Sequence, residues 1–524
     1  MLADSFCGKR SLVGNGYTNE DLIIMSTSSP AFVSTSNQKL SVMEKIGYSL
    51  GDLSANLIFQ TLVTFLAFFY TDVFGIPASE ATFIIGTVGL VGAFIFTPLM
   101  GILADRTNTR WGKFRPWILW TAIPFGVLSI LAFTTPDLTQ DQKIVYAYVT
   151  YTLLLLIYAA NNLPYSALSG VLTSSIEERN SVSAYRFVAV MVAQLIIQVL
   201  LLPLALMLGN GDKAAGFHNT MMLFAGMGTL FFLISFATTK ERVVPIVEST
   251  NSVFDDLSDC AKNLPWVIML VVTVLAFMSL ALRGGITIYY FQNYLSATDL
   301  ANFLEDVGFN GFIAALNTVF MGMGFSEFQW PKDPVISANS LFAACNIIMQ
   351  IIGICCSKSL ADKFGKRNVY AFFLTIASGF ILAFNFFSPS SIGAIFIAQI
   401  LQGFFYGICV PILWAMISDV ADYSEWKNNR RATAIIFSAM LIGLKAGLTI
   451  GGSLVAGLLA HYGYSATLTT QNPETVAGIK SIMSVYASLP FFVSVACLFF
   501  YSINKQMELT LEADLNARRQ AAGK

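Results

Sequence analysis

The fold is decided by one short charged stretch, Gly101-Ile102-Leu103-Ala104-Asp105-Arg106-Thr107-Asn108-Thr109-Arg110-Trp111-Gly112-Lys113-Phe114-Arg115-Pro116. Five charged side chains lie within eleven of its residues, and apolar segments border it at 83–103 and 117–133. A Lys or Arg side chain at the centre of a membrane helix costs about 2.5 to 3.5 kcal/mol, so the stretch predicts a tight turn at a membrane face. Short cytoplasmic loops carry an excess of Lys and Arg, and we therefore expect this basic turn to face the cytoplasm.

The composition is that of a protein embedded in lipid. Of the 524 residues, 55% are hydrophobic and 12% are charged, and the mean hydropathy is +0.66, whereas soluble domains have about 25% charged residues. A net charge of −1 gives no electrostatic attraction to nucleic acid, and two histidines leave no histidine-based metal cluster, so we expect no metal and no cofactor. The seven cysteines lie mostly in apolar segments and are interpreted as small packing residues.

Twelve apolar segments recur along the chain, each about twenty residues long, which is enough to cross about 30 Å of hydrocarbon. The residues before them, 1–38, are rich in Ser, Thr and Asn and lack a signal-peptide core, so we predict a disordered cytoplasmic tail. The predicted spans are 46–70, 81–104, 116–134, 144–169, 185–209, 218–238, 265–294, 337–357, 369–388, 392–417, 432–459 and 481–503.

Most of the Lys and Arg residues between these spans lie on one side of the membrane. Of the 30 Lys and Arg residues, 23 lie on the side of the basic turn, 4 lie on the other side and 3 lie inside spans. An odd number of spans would scramble this division. It therefore predicts a multi-pass protein of the inner (plasma) membrane with both termini in the cytoplasm.

The sequence of the basic turn occurs twice. Leu103-Ala104-Asp105-Arg106, followed by Gly112-Lys113, returns as Leu360-Ala361-Asp362-Lys363, followed by Gly365-Lys366. The loop after the fourth span is echoed in the same way after the tenth. This repeat indicates an all-α membrane protein with a major facilitator fold, twelve helices in two parallel six-helix halves. The predicted domains are an N-terminal bundle at 39–239, a cytoplasmic linker with one surface helix at 240–263, a C-terminal bundle at 264–504 and a cytoplasmic tail at 505–524.

The outer loop at 296–336 is long for a connection between two spans. It carries an amphipathic or re-entrant piece around 312–325. A loop of this length is a lid or an insertion, and we favour an insertion.

Ionisable side chains inside the spans are expensive in lipid and by default mark a transport pathway. Four are present, Asp52, Arg186, Arg283 and Lys445. Other polar residues follow them at helical spacing and predict stripes that face a partner or water. These residues are Asn56, Gln60 and Thr64 after Asp52; Gln194 and Gln198 after Arg186; Thr287 and Tyr290 after Arg283; Ser438 and Thr449 beside Lys445; and Tyr158, Asn162, Tyr165 and Ser169 on the fourth span.

Amides, hydroxyls, charged groups and aromatic rings suit a polyol, because they bond to vicinal hydroxyls and stack on the apolar face of a sugar ring. The alternative is that these groups bond one another across helices, as is common in membrane bundles.

The charged turn and its copy are candidates for a cytoplasmic gate. Asp105 lies beside Arg106, Arg110 and Lys113, and Asp362 and Lys363 repeat this arrangement. A charge cluster that links helices in one state and releases them in the other would bias alternating access. The alternative is a solvated loop that only sets the topology.

The sequence of the basic turn resembles the signature of the glycoside-pentoside-hexuronide:cation symporters, the family of the melibiose permease. Over about residues 45–505, three further segments carry the likeness, Phe69 to Pro77, Arg283-Gly284-Gly285 with Tyr289-Tyr290, and Ser418 to Trp426. The resemblance implies a secondary transporter that moves a sugar together with a cation. It implies that Tyr158, Arg186 and Lys445 line the sugar and coupling site. It also implies that Asn56 and Asn162 stand at sugar-binding positions, and that Ser166 replaces a stacking Trp, which leaves Tyr165 or Trp414 for that contact.

The second span departs from this family, which usually has two aspartates where this chain has Ala93 and Thr97. Two carboxylates supply the hard oxygen ligands that Na⁺ needs, whereas alanine and threonine do not. We therefore expect H⁺ rather than Na⁺ as the coupling cation, carried by Asp52, with uncoupled facilitation as the alternative. Three in-span cations face one carboxylate, so an anionic substrate such as a hexuronide fits. A neutral sugar, with Lys445 paired to Asp52 or to helix carbonyls, is equally allowed.

Other classes of function remain as alternatives. A membrane-bound transferase needs clustered aspartates, and Asp419 and Asp422 are the only near-pair beside a span. A lipid-type solute carrier of the same fold would need an apolar cavity, and a sugar sensor an added signalling domain. We expect a transporter rather than an enzyme, with a sugar, a coupling cation and the lipid bilayer as partners, acting as a monomer.

Overall fold

The computed structural model describes residues 39–173, 176–242, 262–322, 330–428, 433–468 and 470–522. Within these ranges the chain is helical and has no β-strand, apart from one isolated bridge between Thr109 and Gly112 in the basic turn. The predictions for 1–38, and for a surface helix in the linker around 243–261, lie outside the described residues.

The N-terminal half is built from the first eight helices, α1 to α8. Single π-helical turns continue α1 over Phe69–Val73, join α2 to α3 over Gly92–Phe96 and join α6 to α7 over Ile196–Leu200. The helices are α1 (Val42–Phe68), α2 (Ala78–Val91), α3 (Thr97–Arg106), α4 (Arg115–Ala132), α5 (Gln140–Leu172), α6 (Ile176–Leu195), α7 (Leu201–Gly209) and α8 (Lys213–Thr238).

The C-terminal half repeats this pattern with one helical insertion in its outer loop. A π-helical turn over Ile482–Tyr486 joins α16 to α17. The helices are α9 (Leu264–Asn293), α10 (Ala297–Asp306), α11 (Phe309–Gly322), α12 (Pro334–Phe364), α13 (Lys366–Ala383), α14 (Ile392–Asn428), α15 (Thr433–His461), α16 (Pro473–Ser481), α17 (Ala487–Leu498) and α18 (Lys505–Ala522).

Local sequence explains where several helices begin and end. The side chains of Ser41 and Asp333 accept backbone N–H bonds in the first turns of α1 and α12, and Thr139 forms a capping box with Gln142 at the start of α5. Gly365 separates α12 from α13 with φ of 84°, a conformation that favours glycine. This glycine belongs to the second copy of the charged turn, so the repeat has a structural basis.

Eleven helices among the described residues are long and apolar enough to cross a membrane, and they fall on eleven of the twelve predicted spans. The remaining prediction, 369–388, falls on α13, whose 18 residues begin with Lys366 and Arg367. That α13 completes a set of twelve spans stays a prediction.

Two regions that were predicted as an outer loop and a tail contain helices. The outer loop 296–336 holds α10 and α11, and the predicted piece at 312–325 overlaps α11. The tail 505–524 forms α18, whose side chains Leu511 and Leu515 are buried.

The two halves approach each other most closely where small residues of α2 face α15. Gly89 lies against Thr449, Gly86 against Ser453, and Thr82 against Gly457. Membrane helices pack closely where glycine and small hydroxyl residues meet, because the backbones can approach. This seam lies between the middle of the bundle and the face opposite the basic turn, which we call the outer face.

Candidate functional site

A cavity lies between the two halves, at the inner end of this seam. Its wall comes from α1, α2, α3 and α5 of one half and from α9 and α15 of the other. Apolar side chains and glycines form most of the wall, and Lys445 is its one charged residue. The other lining residues that carry polar groups are Thr97, Tyr151, Tyr158 and Thr449.

Lys445 connects the halves inside this cavity. Its Nζ donates to the Thr97 hydroxyl oxygen at 3.0 Å and lies 5.9 Å from the centre of the Tyr158 ring. Tyr158 in turn stacks on Phe59, with ring centres 5.3 Å apart. Among the described residues Lys445 forms no ion pair, so this buried ammonium group is partnered by a hydroxyl and a ring face alone. Ala93 and Thr97, the positions where the family usually has aspartates, are both in the cavity wall.

Asp52 forms a buried ion pair with Arg186 of α6. Two aromatic rings complete the surroundings of the guanidinium, whose carbon lies 5.6 Å from the centre of the Tyr48 ring and 5.4 Å from that of Tyr165. Tyr48 and Tyr165 stack with centres 4.6 Å apart, and each hydroxyl donates to the other residue's carbonyl oxygen. The pair is therefore held rigidly within the N-terminal half. Asp52 is bonded to Arg186 rather than to Lys445.

Of the predicted amide residues, Asn56 lies beside this pair. Asn56 donates from Nδ2 to the Asp52 carbonyl oxygen at 2.9 Å, and Gln60 and Asn162 are half-buried on α1 and α5. None of these three is among the residues lining the cavity. Tyr165 is fully buried and stacked on Tyr48, so its ring faces are already covered by protein.

Arg283 lies apart from the other predicted site residues. It donates to Gln399 Oε1 on α14, and its guanidinium carbon lies 5.3 Å from the centre of the Phe384 ring. Both partners belong to the C-terminal half, and Arg283 does not line the cavity. The structure thus brings Tyr158 together with Lys445 and Asp52 with Arg186, and leaves Arg283 within its own half.

The basic turn is fixed by a residue that the sequence analysis missed. The Glu241 carboxylate, just beyond α8, accepts backbone N–H bonds from Lys113, Phe114 and Arg115 at 2.8, 2.7 and 2.9 Å. It caps the positive end of α4 and so ties the turn to the end of the sixth span. The Arg115 guanidinium also donates to the Phe236 carbonyl oxygen at 2.7 Å, which strengthens the same link.

The other members of the predicted gate are partly described. Arg106 and Arg110 are exposed, and the Arg110 guanidinium carbon lies 4.5 Å from the centre of the Trp111 ring. The Lys113 Nζ lies 5.3 Å from the centre of the Phe114 ring. The side chain of Asp105 lies outside the described residues.

Replacing Glu241 with Ala is expected to lower the free energy of unfolding by about 1 to 2 kcal/mol, because three N–H groups at the start of α4 lose their common acceptor. The thermal unfolding midpoint of purified protein in detergent measures this effect. Glu305→Ala, at an exposed position on α10, is the matched control and should leave the midpoint unchanged. Equal midpoints for the two variants would contradict the capping role.

The second copy of the turn is tied down by α18. Lys366 Nζ donates to the two Asp419 carboxylate oxygens at 2.5 and 2.7 Å and lies 3.9 Å from Glu508. Lys505 Nζ donates to the carbonyl oxygens of Asp362 and Lys363 at 2.9 and 3.1 Å. Burial raises the pKa of the Glu508 carboxyl, and Lys366 opposes that shift. Each copy of the turn is therefore bound to the residues that follow the last span of its own half.

The outer face carries a hydrogen-bond cluster between the halves. Asp72 Oδ1 accepts from the Tyr464 hydroxyl at 2.6 Å, and the hydroxyls of Thr71 and Tyr289 lie 2.7 Å apart. Burial and then the nearby Asp72 raise the pKa of the Tyr464 phenol, which keeps this donor protonated. A further hydrogen bond between the halves runs from Lys445 to Thr97.

Two helical halves that surround a central cavity and are joined on one face define a membrane transporter of the major facilitator fold. Solved structures support this fold. A bacterial homologue of the human lysosomal transporter Spinster, in an inward-facing and unoccupied conformation, aligns with a TM-score of 0.59 at 13% identity over 90% of this chain and 99% of that one. The nucleoside transporter NupG aligns with a TM-score of 0.54 at 13% identity over 88% of this chain and 100% of that one.

Sequence comparison assigns the family. Residues 47–323 and 311–505 match the family described as MFS/sugar transport protein. The inner membrane symporter YicJ of Escherichia coli is 34% identical over 87% of this chain and 91% of its own length. The isoprimeverose transporter of Lactiplantibacillus pentosus is 31% identical over 91% of both chains. The chain belongs to the MFS/sugar transport family, which confirms the resemblance to the glycoside-pentoside-hexuronide:cation symporters and identifies a membrane transporter rather than an enzyme.

Proposed function

We propose that this protein carries a glycoside, pentoside or hexuronide across the inner membrane by alternating access, with a proton as the coupling cation. The observation that carries the proposal is the cavity between the halves, with Lys445 and Tyr158 in its wall and the Asp52–Arg186 pair in the adjoining helices. Both halves belong to one chain, so a single copy has a complete pathway. The names of the relatives, a symporter and an isoprimeverose transporter, agree with a sugar as substrate.

The roles of the site residues follow from their places. Tyr158 and Lys445 reach the cavity directly and would contact the sugar, with Asn56, Gln60 and Asn162 lining its route on the inner side. Arg186 would stay paired with Asp52 until Asp52 binds a proton in place of the guanidinium. Arg283, within the C-terminal half, would act on the substrate only after α9 moves.

Proton coupling is supported by the chemistry of the second span. The cavity wall at Ala93 and Thr97 offers one hydroxyl, already bonded to Lys445, whereas Na⁺ takes several oxygen ligands. Asp52 is the carboxylate among the described residues of the central helices that lies beside the proposed route. An uncoupled facilitator is the alternative.

Alternating access requires a gate at each face. In the inward-open arrangement that we infer here, the outer cluster of Asp72, Thr71, Tyr289 and Tyr464 is closed. The gate formed by Asp105, Arg106, Arg110, Lys113, Asp362 and Lys363 would be open at the cytoplasmic face, where both termini lie. The two faces would exchange roles as the halves rock about the cavity.

Reconstitution into proteoliposomes tests this function. We expect uptake of at least one member of a panel of pentosides, hexosides, their oligomers and uronides, with an inwardly directed proton gradient raising accumulation and a Na⁺ gradient having no effect. A protonophore should abolish the accumulation. Uptake that is indifferent to protonophore and to Na⁺ would overturn symport, and no uptake of any sugar would overturn sugar transport.

The same panel separates anionic from neutral substrates. If the unpaired ammonium of Lys445 binds a carboxylate, uronides should compete best for labelled uptake, and Lys445→Gln should remove that preference. Lys332→Gln, at an exposed position in the outer loop, is the matched control. Competition by neutral pentosides alone would show that Lys445 binds a neutral sugar.

A further inference from the structure

We propose that the apolar face of α11, in the outer loop between α9 and α12, docks into the bilayer leaflet on the outer face and forms a short interfacial helix. This inference is independent of the substrate and of the coupling ion.

The helix presents apolar surface where a water-facing loop would be polar. From Val307 to Gly322 the sequence has no Asp, Glu, Lys or Arg. Phe312 and Val319, seven residues apart and therefore on one face of α11, are 62% and 52% exposed, whereas Ile313 is buried. Covering large apolar side chains removes apolar surface from water, so this face favours an apolar partner.

The inner side of α11 is already fixed to the protein. Asn317 Oδ1 accepts from the Trp330 backbone N–H at 3.0 Å, and the rings of Phe309 and Trp330 lie 6.3 Å apart. Trp330 Nε1 in turn donates to Ser337 Oγ, in the first turn of α12, at 3.0 Å. These contacts hold α11 at the outer end of α12 and leave its apolar face pointing away from the protein.

The neighbouring helix α10 anchors the outer loop at the same end of the protein. Leu300 and Leu304 of α10 are buried, and the ring of Phe303 lies 4.6 Å from that of Phe396, one turn into α14. The next residue of α14, Ile397, is 60% exposed on the surface that the bilayer surrounds. Through α10 the loop is therefore anchored near the outer end of α14, beside the exposed apolar side chain of Ile397.

The length of α11 decides how it can enter the membrane. Its 14 residues extend for about 21 Å at 1.5 Å per residue, less than the roughly 30 Å of the hydrocarbon core. It is thus too short to span the bilayer and long enough to lie along its surface with one face immersed. Such a helix fixes the C-terminal half in the outer leaflet and does not close over the outer opening as a lid.

Photo-cross-linking in native membranes tests this placement. The photoreactive amino acid benzoylphenylalanine replaces Phe312 or Val319 in the full chain, and mass spectrometry then measures peptides that carry a phospholipid. Ile397 is the lipid-facing reference, and Lys332, exposed at the far end of the loop, is the water-facing reference. We expect lipid adducts at both α11 positions within about twofold of Ile397 and at least about fivefold above Lys332.

Each other outcome overturns the proposal. A product of twice the chain's mass would identify a second copy as the partner of α11. Cross-links to the N-terminal half would identify a lid, and an adduct yield equal to that of Lys332 would place the face in water. Because the readout is a lipid adduct, it is independent of whether the protein transports a sugar.

Discussion

Oxidation of a Gly86→Cys/Ser453→Cys double variant is expected to reduce sugar uptake to about 5% or less of the reduced protein, because the bond would hold the outer face shut. A Cβ atom placed on Gly86 would lie 3.3 Å from the Ser453 Cβ, close to the roughly 3.5 to 4.5 Å of disulfides. The two positions lie on α2 and α15, one in each half, in the seam of small residues. The seven natural cysteines must first be replaced, and a reducing agent should restore uptake.

The matched control is a cross-link of the same kind within one half. Gly126 on α4 and Thr229 on α8 are both in the N-terminal half, and a Cβ on Gly126 would lie 3.8 Å from the Thr229 Cβ. Oxidising Gly126→Cys/Thr229→Cys should leave uptake within about twofold of the reduced protein, since helices of one half move together. Full uptake by the oxidised Gly86/Ser453 pair would show that the seam stays closed throughout the cycle and would contradict alternating access at this face.

The fold could be predicted because lipid leaves the chain few choices. Every span must be apolar over about 30 Å, and loops must carry the charge, so hydropathy and the distribution of Lys and Arg locate the helices. The α13 segment shows the limit of this reasoning, because its charged start lowers its apolar character although it coincides with the ninth predicted span. The π-helical turns, such as Gly92–Phe96, were not visible in the sequence, since one extra residue per turn leaves no mark in an apolar run.

The candidate site could be predicted only in part. Helical spacing shows which residues share a face, and it placed Asp52 and Asn56 on one face. It does not show what that face meets, so Arg283, predicted to line the pathway, contacts Gln399 inside its own half. The contact between Thr97 and Lys445 joins residues 348 positions apart, and no local pattern encodes it.

The structure also changes the meaning of the charged turn. Its sequence predicted a charge cluster that links helices at the cytoplasmic face, and the backbone N–H groups of Lys113 and Arg115 bond to Glu241, which follows α8. In the same way Lys366 is tied to Asp419 and Glu508. Each copy of the turn is thus bonded to other residues of its own half, and its role as a gate stays a prediction.

Asp52→Asn is expected to abolish proton-driven accumulation, bringing the internal to external sugar ratio to about 1, while exchange of labelled for unlabelled sugar continues. The physical reason is that Asn keeps the shape and one acceptor oxygen toward Arg186 but cannot bind and release a proton. Exchange should be slower than in the native protein, since the buried Arg186 loses its counter-charge, and breaking such a pair costs about 3 to 5 kcal/mol.

A second variant separates coupling from folding. Arg186→Gln leaves the carboxylate of Asp52 without its cation and should lower both accumulation and exchange, whereas Asp52→Asn/Arg186→Gln removes both charges and should regain exchange without regaining accumulation. Asp306→Asn, at an exposed position on α10, is the control for loss of a carboxylate and should behave as the native protein.

Accumulation that persists in Asp52→Asn would assign the proton to another group. Loss of exchange in a well-folded Asp52→Asn protein would place Asp52 in sugar binding instead. The Asp52–Arg186 pair lies beside the cavity and entirely within one half. Loss of accumulation with continued exchange in Asp52→Asn is therefore the one result that makes the opening and closing of this pair the step that couples proton to sugar.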